Sequence, residues 1–270
     1  MQHEASRSDS QTVTDMMDPA HGQAFQVALG LAPSIAAGSA LPPFFHQLHF
    51  WDPQPPARLG RDGHPATGIG LIPDLGLPRR MWAGGRLAFH GPLVAGTAAE
   101  KTTVIDSVTR KDGRTGPLGF VTLRHEITQG GKACVTEWQD LVYREDPAPG
   151  APAPVPPQAR TDEDLCRTVH FDSTLLFRYS ALTFNGHRIH YDLDYARDVE
   201  GYAGLVTHGP LLAQHLMLLA EERLGTLRHF SFRATAPLMH VEAADLCWCD
   251  DGTMWVRGPD GRQCMQAQAA

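Results

Sequence analysis

Apolar and polar positions alternate along two separate stretches of the chain, one on each side of a proline-rich segment. In the first stretch, residues 102–109, 118–128 and 133–143 are rich in β-branched and apolar side chains. Lys111-Asp112-Gly113-Arg114 and Gly130-Gly131 separate them, and both have the composition of hairpin turns. In the second stretch, residues 243–249, 254–258 and 263–267 repeat the arrangement, with turns at Asp250-Asp251-Gly252 and Pro259-Asp260-Gly261. The pattern predicts an antiparallel meander used twice. A helix is predicted ahead of the second meander. Pro210 suits its first turn, where the missing N–H costs nothing, and Gly225 suits the position just past its end. Leu211, Leu212, Leu216, Leu218 and Leu219 lie on more than one side of it, which predicts a helix wrapped by a sheet.

The segment 146–158 reads DPAPGAPAPVPPQ. Its spaced prolines suit neither a helix interior nor a sheet ladder and leave an extended spacer. The units it divides share short phrases. Arg86-Leu87-Ala88-Phe89-His90-Gly91-Pro92-Leu93 resembles Ser231-Phe232-Arg233-Ala234-Thr235-Ala236-Pro237-Leu238. Leu41-Pro42-Pro43-Phe44-Phe45 and His208-Gly209-Pro210-Leu211-Leu212 both set proline at the mouth of an apolar run. These anchors lie farther apart in the first unit because residues 51–80 form a Gly/Pro-rich insertion, and a loop of that length is usually functional or disordered. The predicted organisation is a loose tail over 1–20, a first unit over 21–145, the linker, and a second unit over 159–270. A buried helix followed by an antiparallel meander, twice, predicts an α+β double hotdog.

The 270 residues suffice for one large or two small domains, and 42% apolar with 20% charged residues is the composition of a globular protein. A net charge of −7 argues against a general nucleic-acid binder, which needs a dense positive surface. No apolar run approaches the roughly eighteen residues of a membrane span, and the first residues lack a secretory apolar core. The expected location is the cytoplasm. The cysteines, odd in number and irregularly spaced, do not make a disulfide framework. Cys247 and Cys249 would share one face of a strand, and no second pair accompanies them to hold a metal.

Titratable groups concentrate between Phe177 and Leu212, where His187, His190 and His208-Gly209 stand among apolar residues. Tyr179-Ser180-Ala181-Leu182-Thr183-Phe184-Asn185-Gly186-His187-Arg188-Ile189-His190 resembles the motif Tyr-x-x-Leu-Ser-Gly-Asp-x-Asn-Pro-Ile-His of MaoC-type hydratases and dehydratases, whose hotdog helix opens with His-Gly. The motif's aspartate falls on Asn185, its asparagine on His187 and its proline on Arg188. With those departures the stretch Asn185–Asp192 is similar to hydroxyacyl-thioester dehydratases of type 2 and to mesaconyl-C4-CoA (3-methylfumaryl-CoA) hydratases. Met81-Trp82-Ala83-Gly84-Gly85-Arg86 resembles the amino-terminal hotdog of the same branch.

The resemblance implies a hydro-lyase acting on an α,β-unsaturated acyl-thioester, on CoA or an acyl carrier protein, with no cofactor or metal. It also implies a homodimer. His190 would be the acid/base, since its ordinary pKa lies near working pH. The Gly209 N–H, at a helix start, would face the thioester oxygen. Asn185, an amide, would position water or substrate rather than relay a proton. Tyr179, His187 and Asp192 are further candidates for acid/base work, and His187, Tyr179 and His208 for substrate contact. Arg178 or Arg188 would meet a free substrate carboxylate or a phosphate. Asp192, Asp194, Asp198 and Glu200 equally suit a helix start. Ser180 and Thr183 lack the turn of a serine hydrolase. The same residues leave open a 3-hydroxyacyl-thioester dehydratase with a neutral chain, a hotdog thioesterase, and a non-catalytic acyl-CoA-binding protein.

Overall fold

The computed structural model describes residues 10–113, 116–146 and 155–270. In chain order the first part contains β1 (Ser10–Asp15), α1 (Pro19–Ala28), β2 (Arg79–Phe89), β3 (Ala99–Gly113), β4 (Gly116–Gln129) and β5 (Lys132–Arg144). The second contains β6 (Leu165–His170), α2 (Ser173–Leu182), α3 (Gly209–Leu224), β7 (His229–Ala234), β8 (Ala243–Trp248), β9 (Thr253–Arg257) and β10 (Gln263–Ala269). Both meanders and the helix over 210–224 are present as the pattern predicts. At Gly130 and Gly131 φ is 54° and 75°, the two successive positive values that a tight hairpin between β4 and β5 requires.

All ten strands join in one antiparallel sheet of order β1-β3-β4-β5-β2-β7-β10-β9-β8-β6. Read outward from its centre, the two parts run β2-β5-β4-β3-β1 and β7-β10-β9-β8-β6, the same topology twice. The phrases shared between the two units fall on β2 and β7. These strands pair with each other, from Gly84 opposite Arg233 to Ala88 opposite His229.

Two expectations needed correction. Of the tail predicted to be loose over 1–20, residues 1–9 lie outside the described residues and the rest is ordered, because Ser10–Asp15 pairs with β3 and α1 follows with Asp18 capping its first turn. Val13 packs on the main core and Asp15 accepts bonds from Met17 N and Phe50 N, contacts that polar composition could not reveal. The halves also differ in their helices. α3, at sixteen residues, is buried on several sides and packs on β10. Where the first half repeats its proline-led phrase there is only one 3₁₀ turn, Phe45–Leu48. Most of the linker, residues 147–154, lies outside the described residues.

The space left by the missing helix is filled from the 51–80 insertion. Ile72, Leu75 and Leu77 pack on Val121, Leu123, Leu141 and Tyr143 of β4 and β5. The 3₁₀ turn is fixed by the Glu137 carboxylate, which is 1% exposed. It accepts from His46 Nε2 at 2.9 Å, from Gln47 Nε2 at 2.7 and 2.9 Å, and from Gln139 Nε2 at 3.0 Å. A buried carboxylate is tolerable only when satisfied in this way. Gln214 of α3 donates to the Pro43 carbonyl at 2.9 Å, tying the two halves together.

Candidate active site

Asp172 starts α2 by accepting from Leu175 N at 2.7 Å, the bond expected of an N-cap. The helix buries Leu176, Tyr179 and Ser180, spaced three and four residues apart on one face. It ends where Phe184 takes a left-handed conformation, φ 51°. Asn185 Oδ1 then accepts from His187 N at 3.0 Å, a local turn that swings the chain back toward the interior. The 3₁₀ turn Arg188–His190 follows and delivers His190 to a buried position.

His190 Nδ1 is 2.7 Å from the Val206 carbonyl oxygen. A carbonyl can only accept, so Nδ1 carries the proton and the neutral ring presents a lone pair at Nε2. The ring stacks on His208, centroids 3.6 Å apart and planes 20° from parallel. His208 is held in turn by Ser180 Oγ, 2.9 Å from its Nε2, and by the edge of Tyr179 at 4.8 Å. His187 meets His190 edge-on at 5.3 Å, and His64, from the insertion, lies 4.8 Å from His187. Burial pushes the pKa of His190 down to about 4 and that of His187 to about 2, and it drives His64 and His208 well below the ordinary imidazole range. All four rings are therefore neutral near pH 7.

His208 is also the residue before α3, with no side-chain cap on that helix. The N–H groups of a first helical turn lack intrahelical partners and sit at the positive end of the dipole. Gly209 is the first of them, and a Cβ placed there would meet only the Trp82 carbonyl oxygen, at 3.8 Å. The helix start is thus open to a close approach.

The insertion packs directly on the motif. Arg188 N donates to the Asp62 carbonyl at 2.9 Å, and Trp51 stacks on Phe184 at 5.2 Å. Gly63 has φ 85°, and a Cβ there would stand 2.1 Å from the Gly186 carbonyl oxygen, so only glycine fits.

His187, His190, His208, Tyr179, Asn185 and Gly209 are thus gathered into one region. Arg178 is not among them: it is exposed on the outward face of α2. Arg188 is engaged by Asp192, at 2.7 Å, and lies over the Tyr195 ring. Asp192 also accepts from Tyr195 N, and Glu200 pairs with Arg79 at 2.5 Å, so both carboxylates hold structure. Sequence reasoning did not find Ser180 as a ring anchor, the Val206 carbonyl, or His64. The cluster Arg61-Asp62-Gly63-His64 inside a Gly-rich insertion was the available signal. Among the described residues the three potential metal ligands that converge are Glu163, Cys166 and Cys247, on another face, where Arg257 already pairs with Glu163 at 2.7 Å.

Solved structures share this architecture. HtdX of Mycobacterium tuberculosis superposes with a TM-score of 0.68 at 18% identity, covering 96% of this chain and 98% of that one. A second protein of the same organism, described as having a double hotdog fold, superposes with a TM-score of 0.57 at 14% identity, covering 97% and 95%. The fold is that of a double-hotdog protein. The sequence model of the hydroxyacyl-thioester dehydratase type 2 family matches residues 44–240, and the chain belongs to that family. It is 46% identical over 253 residues to the mesaconyl-C(4)-CoA hydratase of Chloroflexus aurantiacus, covering 91% of this chain and 90% of that protein.

Proposed function

We propose that this protein adds water to the double bond of mesaconyl-C4-CoA (3-methylfumaryl-CoA) to give citramalyl-CoA. The observation that carries the chemistry is the neutral His190, its Nε2 lone pair fixed by the Val206 carbonyl, in one cluster with the open start of α3. The substrate rests on the similarity to the Chloroflexus hydratase. His190 Nε2 removes a proton from water oriented by Asn185, and the hydroxide adds to the β-carbon. The negative charge that develops on the thioester oxygen is met by Gly209 N–H. His190 then returns its proton to the α-carbon, so one base serves both steps and the elements of water are balanced. The first half of the chain supplies a wall of the acyl pocket rather than a second set of catalytic groups.

The test is the absorbance of the enoyl-thioester chromophore with mesaconyl-C4-CoA and with crotonyl-CoA, using His190→Ala as control. The expected result is a loss of absorbance that favours mesaconyl-C4-CoA and is lost in the variant. A preference for neutral chains would instead support a 3-hydroxyacyl-thioester dehydratase, which the family description favours. Release of free CoA thiol would indicate a thioesterase, and saturable binding with no spectral change a binding protein. No described helix is long and apolar enough to cross a membrane. A cytoplasmic homodimer completes the proposal, with sedimentation in solution as its check.

A further inference from the structure

Arg80 and Tyr143 stand directly opposite each other in the β2–β5 ladder, so their side chains share one face of the sheet. That is the face on which Tyr143 packs with Leu75, Leu77 and Leu141. Tyr143 is 0% exposed; its hydroxyl makes no well-formed hydrogen bond, and the polar side chain that reaches it is Arg80. A buried hydroxyl without a well-formed partner calls for an explanation. The adjacent Arg79 is committed to Glu200 and Tyr202. Arg80 is half-buried and has no carboxylate partner among the described residues. Asp62, the nearby acid, has Oδ1 occupied by His64 N at 3.1 Å. The Arg80 charge reaches Tyr143, His64 and His187, helping to hold both imidazoles neutral.

The location fits a substrate terminus. Arg80 lies two residues before Trp82, whose carbonyl borders Gly209 at the helix start. Two residues of strand span about 6.6 Å, comparable to a short acyl chain reaching from a thioester oxygen at Gly209 to a second polar end. A guanidinium with no carboxylate partner, beside a buried phenol that it reaches, offers several donors and no negative charge of its own, the recognition chemistry of a carboxylate.

We propose that Arg80 and Tyr143 bind the free carboxylate of a dicarboxylic acyl-thioester and so select it over a neutral enoyl-thioester of similar length. This rests on the hydratase function above and deepens it, since it assigns the carboxylate to the first half of the chain rather than to Arg178 or Arg188.

The experiment compares kcat/KM for mesaconyl-C4-CoA and crotonyl-CoA in wild type, Arg80→Met, Arg80→Lys and Tyr143→Phe, with a thermal melt of each. The ratio of the two values should fall about 100-fold in Arg80→Met and about 10-fold in Tyr143→Phe, mainly through KM for the diacid. Arg80→Lys, which keeps the charge, should retain most of the preference. An unchanged ratio in both Arg80→Met and Tyr143→Phe overturns the assignment. If Arg80→Met does not melt cooperatively, Tyr143→Phe and Arg80→Lys decide. The two levels of the proposal separate cleanly. A wild type that hydrates neither thioester defeats the hydratase function itself. A wild type that prefers mesaconyl-C4-CoA, with variants that keep that preference, defeats only the carboxylate site.

Discussion

Burial holds His190 neutral, with its pKa near 4 rather than near the ordinary 6.5. A general base works only in its deprotonated form, so this depression extends activity toward acid and creates no limit on the alkaline side. We expect kcat/KM to stay flat from about pH 8 down to about pH 5.5, with the acid limb below that. A pH–rate profile with a limb near 6.5 would place the essential base elsewhere. The motif alone identified His190 but not its state. The proton on Nδ1 is fixed by a carbonyl sixteen residues away, and the low pKa by burial, with the His208 ring stacked on it and the His187 ring edge-on. Ser180 shows the same gap: in the sequence it is a hydroxyl without a nucleophile turn, and in the fold it anchors His208.

At the scale of elements, α3 contributes its exposed first turn and the insertion contributes a clamp. Gly209→Ala separates fold from chemistry, because the added methyl meets nothing closer than 3.8 Å within the protein. The melting temperature should be unchanged or slightly raised, since alanine is the better helix former. The methyl should obstruct the thioester, lowering kcat/KM by roughly 10-fold or more. A variant with full activity would remove Gly209 from the proposed oxyanion contact. Gly63→Ala acts in the opposite way, because its methyl would collide with the Gly186 carbonyl and push the insertion off the motif. Activity should drop while the melt shifts little, and hydrogen exchange should rise across residues 60–64 and 184–190. Exchange that rises uniformly would contradict a local clamp.

The whole molecule behaves as one sheet with one principal core. That core combines Phe25, Phe44 and Leu87 with Tyr179, Leu211 and Phe232, so neither half is complete without the other. Chemical unfolding should therefore be a single transition by fluorescence and circular dichroism together, and two separated transitions would show the halves to be independent. The pH dependence follows from the buried imidazoles. His125, His190 and His215 are each pushed down by burial to about 4, so between about pH 6.5 and 4 the unfolded chain binds protons that the folded chain refuses. Stability is fully present above about 6.5 and declines as the pH falls through that window, by on the order of 1–2 kcal/mol per histidine at pH 5. Asp15, held at about 2 chiefly by His49 and two backbone N–H groups against the opposing effect of burial, adds a loss in the same direction below its ordinary range. Denaturation midpoints at pH 7.5 and 5 measure the difference.

The sequence by itself determined the two meanders, the α3 helix with its ends, the repeat of topology and the motif from Tyr179 to His190. These rest on local rules: a side-chain period of two or 3.6, glycine where φ must be positive, and proline where an N–H is dispensable. It did not determine the pairing of β1 with β3 or the use of residues 51–80 as a cover in place of a second long helix. Nor did it show that Arg80 stands opposite Tyr143 while Arg188 is taken by Asp192. Those arrangements depend on contacts across more than 40 residues, or on which of several equivalent charges finds a partner first. No local pattern encodes that choice, and only the packing of the two halves decides it.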